Sequence, residues 1–272
     1  MKAGGKAVFI NSIQWKGIDS RRDYPFSLPI FEKFQSIHFN KPITIFIGEN
    51  GSGKSTFLEG IAAACQLPAA GGVEVSDDPD LMHAKELADS FTLKWKVKTK
   101  TGFFLRAEDF ISFTKRIKEM KLEAENELSG IEDTYKNKSA YAKSLAALPH
   151  KRTLFELNHF YRDGLETRSH GESFIDFFQS RIKPNGLYLL DEPEAPLSPM
   201  RQLTLMSIIL DAVNSGSQFI IVTHSPILMG IPNADIYTFD SHPPKHIAFD
   251  EAEHVQITKQ FLEAPQRFIK YL

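Results

Sequence analysis

Three runs in this chain are apolar without alternation: Ile43 to Ile47, Leu187 to Leu190 and Phe219 to Val222. Strands that alternate hide one face, whereas continuous apolar runs of this length suit strands buried on both faces of a parallel sheet. Each run is followed by a helical pattern or a turn signal, Phe57 to Cys65 after the first and Pro199 to Val213 after the second. Ahead of them, Ala7 to Ile18 and Phe34 to Phe39 read as two strands joined by the loop Asp19 to Pro29. Phe91 to Val97 and Phe103 to Phe110 read as a hairpin turning through Lys98 to Gly102. Ile236 to Phe239 and Ile247 to Phe249 supply the last strands, and His254 to Leu272 a terminal helix or helix pair.

Between Ile111 and Arg168 the pattern changes to helix. Ile117, Met120, Ala124, Leu128 and Ile131 recur at helical spacing, an amphipathic arm. A second helix is expected near Ala140 to Leu148, stopping before Pro149. A third is expected from Thr153, with Glu156 three residues on to complete a capping box and Gly164 to end it. The predicted fold is α/β, a largely parallel core sheet with an N-terminal antiparallel β part. Residues 1–110 and 182–272 form the core, and residues 111–181 an inserted helical subdomain.

The first apolar run leads into Gly48-Glu49-Asn50-Gly51-Ser52-Gly53-Lys54-Ser55-Thr56. A strand, a glycine-rich turn and a helix start in this order make a P-loop, whose successive N–H groups and positive helix end converge on one anion. Asn50, Gly51, Ser52, Gly53 and Thr56 supply the cradle of a nucleoside triphosphate. Lys54 would reach its β and γ phosphates, and the Ser55 hydroxyl would take a place on Mg²⁺. Trp15 or an aromatic residue of Tyr24-Pro25-Phe26 is a candidate for stacking on the base, with packing against the loop as the alternative.

The second apolar run ends on Asp191-Glu192, two carboxylates at the end of a strand where open α/β sheets bind ligands. Asp191 is placed to hold Mg²⁺, and Glu192 to orient or deprotonate the water attacking the γ-phosphorus. His224 follows the third run at the same edge and is assigned a hydrogen bond to the γ-phosphate. Ser169 to Glu172 opens a helix as a capping box, Ser169 at the N-cap and Glu172 three residues on. That helix start also offers N–H groups and a hydroxyl to an anion, including a phosphate bound on another subunit.

Composition narrows this only slightly. With 272 residues, 42% hydrophobic and 24% charged, the chain can build a packed core. A net charge of −2 argues against a uniformly basic nucleic-acid binder, although Lys94, Lys96, Lys98 and Lys100 fall on one strand face. That stripe reads as a solvated edge or as a phosphate track. Cys65 is the only cysteine, so no intrachain disulfide forms and a reducing cytoplasmic setting is expected. No signal peptide is readable and no apolar stretch approaches the roughly 18 residues of a membrane span.

The order of these parts, through Leu189-Leu190-Asp191-Glu192-Pro193, Ala195-Pro196-Leu197-Ser198 and Thr223-His224-Ser225, resembles the ATP-binding-cassette class of ATPases over nearly the whole chain. More narrowly it resembles stand-alone soluble members akin to the heads of DNA-repair and SMC-type proteins. The resemblance implies ATP and Mg²⁺ as ligands, Ser169 to Glu172 as the signature motif, Asp191-Glu192 as the Walker B pair, Ala195 to Ser198 as the D-loop and His224 as the switch histidine. It implies an ATP-dependent homodimer in which Ser169 and Gly171 of one copy close the P-loop of another. His170 stands where that signature usually has glycine. Glu108 is the positional substitute for the glutamine that would sense Mg²⁺. Action on nucleic acid or in defence, service to a separate membrane partner, and a binding switch with little turnover all remain compatible with these motifs.

Overall fold

The computed structural model describes residues 8–17, 23–70, 75, 81–160 and 170–270, without the side chains of 108, 109, 111–117, 133, 158–160 and 170. In chain order the first half comprises β1 (Ile10–Trp15), α1 (Pro29–Lys33), β2 (Ser36–His38), β3 (Ile43–Ile47), α2 (Lys54–Ala64), α3 (Met82–Ser90), β4 (Phe91–Trp95) and β5 (Gly102–Arg106). Three helices follow, α4 (Ala107–Thr134), α5 (Ala140–Phe160) and α6 (His170–Arg181). The chain then forms β6 (Leu187–Asp191), α7 (Pro199–Asn214), β7 (Gln218–Val222), α8 (Pro226–Met229), β8 (Ala234–Thr238), β9 (Lys245–Ile247), α9 (Glu253–Glu263) and α10 (Pro265–Ile269).

Two compact units result, one of residues 1–107 and 182–272, the other of Glu108–Arg181. In the first, β5-β6-β7-β3-β8-β9 form a six-stranded sheet, parallel except for β9, and β2-β1-β4 form an antiparallel sheet. Every residue of β3, β6 and β7 is buried, as expected for strands covered on both faces. The register is level at one edge, with Arg106 opposite Asp191, Asp191 opposite Val222 and Phe46 opposite Val222. The residues that follow these strands therefore emerge side by side.

The expected hairpin does not form. β4 pairs with β1, while β5 pairs in parallel with β6 and belongs to the other sheet. Phe103, Phe104 and Leu105 are all buried, the continuous run of a strand covered on both faces, whereas β4 is buried only at Phe91. The strand expected to reach Phe110 stops at Arg106, and helix begins at Ala107. Lys94, Lys96, Lys98 and Lys100 are exposed, on and just beyond the edge strand β4.

Gln218 joins the two sheets. Its side-chain oxygen accepts from the Phe9 and Ile10 N–H groups at 2.7 and 3.0 Å, and its amide donates to the Ile10 carbonyl at 3.2 Å. Around this contact lies an aromatic core whose hub is Phe57, one turn into α2, with ring centroids 5.0 Å from Phe34, 5.4 Å from Phe91 and 5.5 Å from Phe239. Trp15 stacks on Phe31 at 4.7 Å within the same cluster. It is partly buried there, the packing alternative that its sequence position allowed.

The helical unit has its own aromatic core, with Phe110 4.8 Å from Phe174 and 5.6 Å from Phe177, and Phe174 5.0 Å from Phe178. The expected break at Pro149 is absent, because α5 runs through it. Ala147 and Leu157 are buried on either side, so packing offsets the roughly 3 kcal/mol that proline costs inside a helix. Thr153 is consequently no N-cap. Its hydroxyl donates to the Pro149 carbonyl at 3.1 Å, and Glu156 pairs with Arg152 at 2.9 Å. On the expected amphipathic face Ala124 and Ile131 are buried, while Met120 is exposed. Gly164 lies outside the described residues. Among the described residues no helix is long and apolar enough to cross a membrane.

The Gln218 junction generates a stability prediction. Gln218→Leu leaves two buried N–H donors and one carbonyl without partners, and should cost roughly 2–4 kcal/mol. A urea melt of the variant with an unchanged midpoint would contradict this.

Candidate nucleotide-binding site

The P-loop follows from backbone conformation. Gly48, Gly51 and Gly53 have φ of 145°, 82° and 91°, values side chains disfavour. Gly53 also packs closely, since a Cβ there would lie 3.2 Å from Ile30 Cγ2. The loop then passes into α2 at Lys54, leaving the first-turn N–H groups of the helix available to an anion. Lys54 curls back over the loop, donating to the Gly48 and Glu49 carbonyls at 2.7 Å each and to Ser52 Oγ at 3.3 Å. Burial lowers its pKa, opposed by the negative charges of Asp240, Glu192, Asp191 and Glu49. Asp240 Oδ1 accepts from the Glu49 N–H at 2.7 Å and so ties the loop to the end of β8.

Ser55 and Asp191, far apart in sequence, meet here with Oγ 3.1 Å from Oδ1. Asp191 is buried at the end of β6, and burial pushes its carboxyl up to about 7. The Ser55 hydrogen bond and the Arg106 charge oppose the rise, while Glu59 and Glu192 add to it. Glu59 is itself buried, 2.6 Å from His83 Nε2 and 3.5 Å from Arg106 Nη1. A buried carboxylate beside a hydroxyl is a donor set that fits Mg²⁺. Among the described residues no group of three or more His, Cys, Asp or Glu side chains could hold a metal.

Glu192 adopts φ of 46°, the left-handed region uncommon for a side-chain-bearing residue. Its carboxylate lies 3.5 Å from Nε2 of His224, half exposed beside the loop. Burial lowers the His224 pKa, helped by Lys54 and opposed by Glu192. The loop bearing His224 is fixed by Glu194, whose Oε1 accepts from the His224 and Ser225 N–H groups at 2.8 and 3.2 Å. Lys54, Ser55, Asp191, Glu192 and His224 thus form one constellation at the carboxyl edge of β3, β6 and β7. Tyr24 hydroxyl lies 3.1 Å from Thr56 Oγ1, and its ring 5.3 Å from His83, which places an exposed aromatic beside the loop.

Ser169 and the side chain of His170 lie outside the described residues, as does the side chain of Glu108. Gly171 is buried in the first turn of α6. Glu194, Asp240, Glu59 and Arg106 were not singled out from sequence. Only Glu194 carried a signal, its place in the acidic stretch after β6.

The level strand ends, the glycine loop, and the Ser55–Asp191 contact define a P-loop nucleotide-binding protein with an α/β ATPase fold. A family model described as an AAA domain matches residues 27–180, more than half of the chain. The chain belongs to that AAA-domain family. A second AAA-domain model, whose description links it to the AbiEii toxin of a Type IV TA system, matches residues 173–230. Among solved structures, the chain is similar to an ATP-binding cassette of an ABC transporter, 19% identical, covering 98% of this chain and 100% of that one with a TM-score of 0.47. It is also similar to the Smc head domain from Pyrococcus furiosus, 13% identical over 93% of this chain and 99% of that one, TM-score 0.46. A nucleotide-free ATP-binding cassette from an ABC transporter is 21% identical over 87% and 90%, TM-score 0.41. No curated protein matches the chain significantly.

The raised Asp191 pKa makes stability depend on pH. A carboxyl whose folded pKa lies above its unfolded value contributes stability below the unfolded pKa, and that contribution is lost as pH rises through about 7. Asp191→Asn should therefore be more stable than the metal-free parent at pH 8, by about 4 kcal/mol, and no more stable at pH 4. Equal melting at both pH values would overturn this account of Asp191.

Proposed function

We propose that this protein binds ATP with Mg²⁺ and hydrolyses it, and that ATP holds two copies together until hydrolysis releases them. The observation that supports this reading best is the five-residue constellation around the P-loop, above all Ser55 Oγ at 3.1 Å from Asp191 Oδ1 beside the Glu192–His224 pair. Asn50 to Thr56 cradle the phosphates with backbone N–H groups, and Lys54 exchanges its loop carbonyls for β and γ oxygens. Ser55 and Asp191 would hold Mg²⁺, which would offset negative charge on the phosphate oxygens. Glu192 orients a water in line with the γ-phosphorus, and His224 Nε2 donates to a γ oxygen. Gly171, with Ser169, offers the start of α6 to the γ-phosphate of a second copy. Glu108 would take the place of the Mg²⁺-sensing glutamine.

Loss of ATP loosens the dimer, so turnover becomes a conformational cycle of the kind that acts on a partner. Nucleic acid is the partner class favoured here, because the exposed lysines from Lys94 to Lys100 gather positive charge along and beyond a sheet edge. Stimulation of turnover by DNA or RNA that falls steeply with added salt is the expected result, and salt-independent turnover would argue for a membrane-bound or protein partner.

Two variants test the reading itself. Lys54→Ala should lose ATP affinity by about 10-fold or more in calorimetry, since charge-assisted phosphate contacts are each worth about 1.5–3 kcal/mol. Glu192→Gln should bind ATP normally, turn over at least about 100-fold more slowly, and accumulate as a dimer in light scattering with Mg·ATP. A Glu192→Gln protein that is monomeric with and without nucleotide would sink the dimer.

A further inference from the structure

His224 has two ring nitrogens, and only one of them faces the site. The other, Nδ1, lies 3.0 Å from Nε2 of His254, the second residue of α9. The rings sit 5.1 Å apart at 58°. Two neutral imidazole nitrogens at that distance form a hydrogen bond only if one carries the proton and the other does not. The direction follows from what lies on the far side of His224. Its Nε2 is buried, has no hydrogen-bond partner among the described residues, and points toward Glu192 Oε1 at 3.5 Å. A carboxylate only accepts, so a proton on Nε2 is attracted and a bare Nε2 lone pair is repelled. Nδ1 is then the bare nitrogen, and His254 Nε2–H is its donor.

We propose that His254 is a positioning residue that holds His224 in its Nε2–H tautomer, with the ring aimed at Glu192 and at the γ-phosphate site. The proposal rests on the hydrolytic reading for its kinetic consequence, while the tautomer itself is a property of the resting protein. The contact also gives α9 a role in the site. Ala252 and Val255 are buried on either side of His254 and fix the start of that helix against the core. A displacement of α9 would remove the donor and free the His224 ring. The sequence carries no sign of this, because His254 lies 30 residues from His224 with a strand pair between them.

The test has a spectroscopic arm and a kinetic arm. In nitrogen-15 NMR of the nucleotide-free protein at pH 8, His224 should carry its proton on Nε2, with Nδ1 shifted as a hydrogen-bond acceptor. A proton on Nδ1 of His224 would overturn the proposal whether or not the protein hydrolyses ATP. In turnover assays His254→Ala should lower kcat roughly 10-fold with nucleotide KM unchanged. His254→Gln, whose amide can donate from a similar position, should recover most of that loss. An alanine variant with wild-type kcat, or a glutamine variant as slow as alanine although its Nδ1 acceptor signal is restored, would also overturn it. An inactive wild-type protein with the Nε2–H spectrum intact would count against hydrolysis and not against the pairing.

Discussion

Everything at this site depends on the register of three buried parallel strands. β3, β6 and β7 run level, so the residues that leave them, the P-loop, Asp191 with Glu192, and His224, arrive at one edge within hydrogen-bond reach. A register slip of one residue would reverse the facing of every side chain in the slipped strand and separate Ser55 from Asp191. The strands hold register because both of their faces are apolar and covered, and because backbone bonds continue past the strand ends. Glu192 N–H donates to the Val222 carbonyl at 2.9 Å, and Thr223 N–H to the Phe46 carbonyl at 3.2 Å.

Rigidity below the site permits concentrated charge above it. Lys54, Glu59, Asp191 and Glu194 are ionisable groups removed largely from water, each held by specific partners: loop carbonyls, His83 with Arg106, Ser55, and backbone N–H groups. Burial alone would neutralise such groups, and the raised Asp191 pKa shows how near this one stands to that outcome. A cation and phosphate entering the site would reverse the balance, replacing a costly buried carboxylate by a ligand and coupling their binding to proton release. Phe57 links this chemistry to the fold, since the helix that presents Lys54 and Ser55 is anchored one turn later in the aromatic core.

Where expectation and structure part, the causes are instructive. Residues 91–110 form no hairpin because β4, buried at one residue, and the continuously buried β5 belong to two different sheets, and adjacency in sequence does not decide pairing. Helix α5 passes through Pro149 because burial of Ala147 and Leu157 outweighs a local propensity. Trp15 packs against aromatic rings from α1, from β4 and from Phe26 and Phe34 in the flanking loops, which sequence spacing cannot assemble.

The sequence by itself determined the short-range features: the glycines that permit the P-loop, the apolar runs that become inner strands, and the acidic pair and histidine that follow them. These are legible because backbone freedom, strand burial and helix initiation depend on a few consecutive residues. Only the tertiary structure decided which distant residues support them: Gln218 bridging the sheets, Asp240 on the Glu49 N–H, Glu194 beneath His224, and His254 on its far nitrogen. Each of those contacts joins residues at least 30 positions apart, and only the packing of the strands and of α9 brings them into hydrogen-bond range.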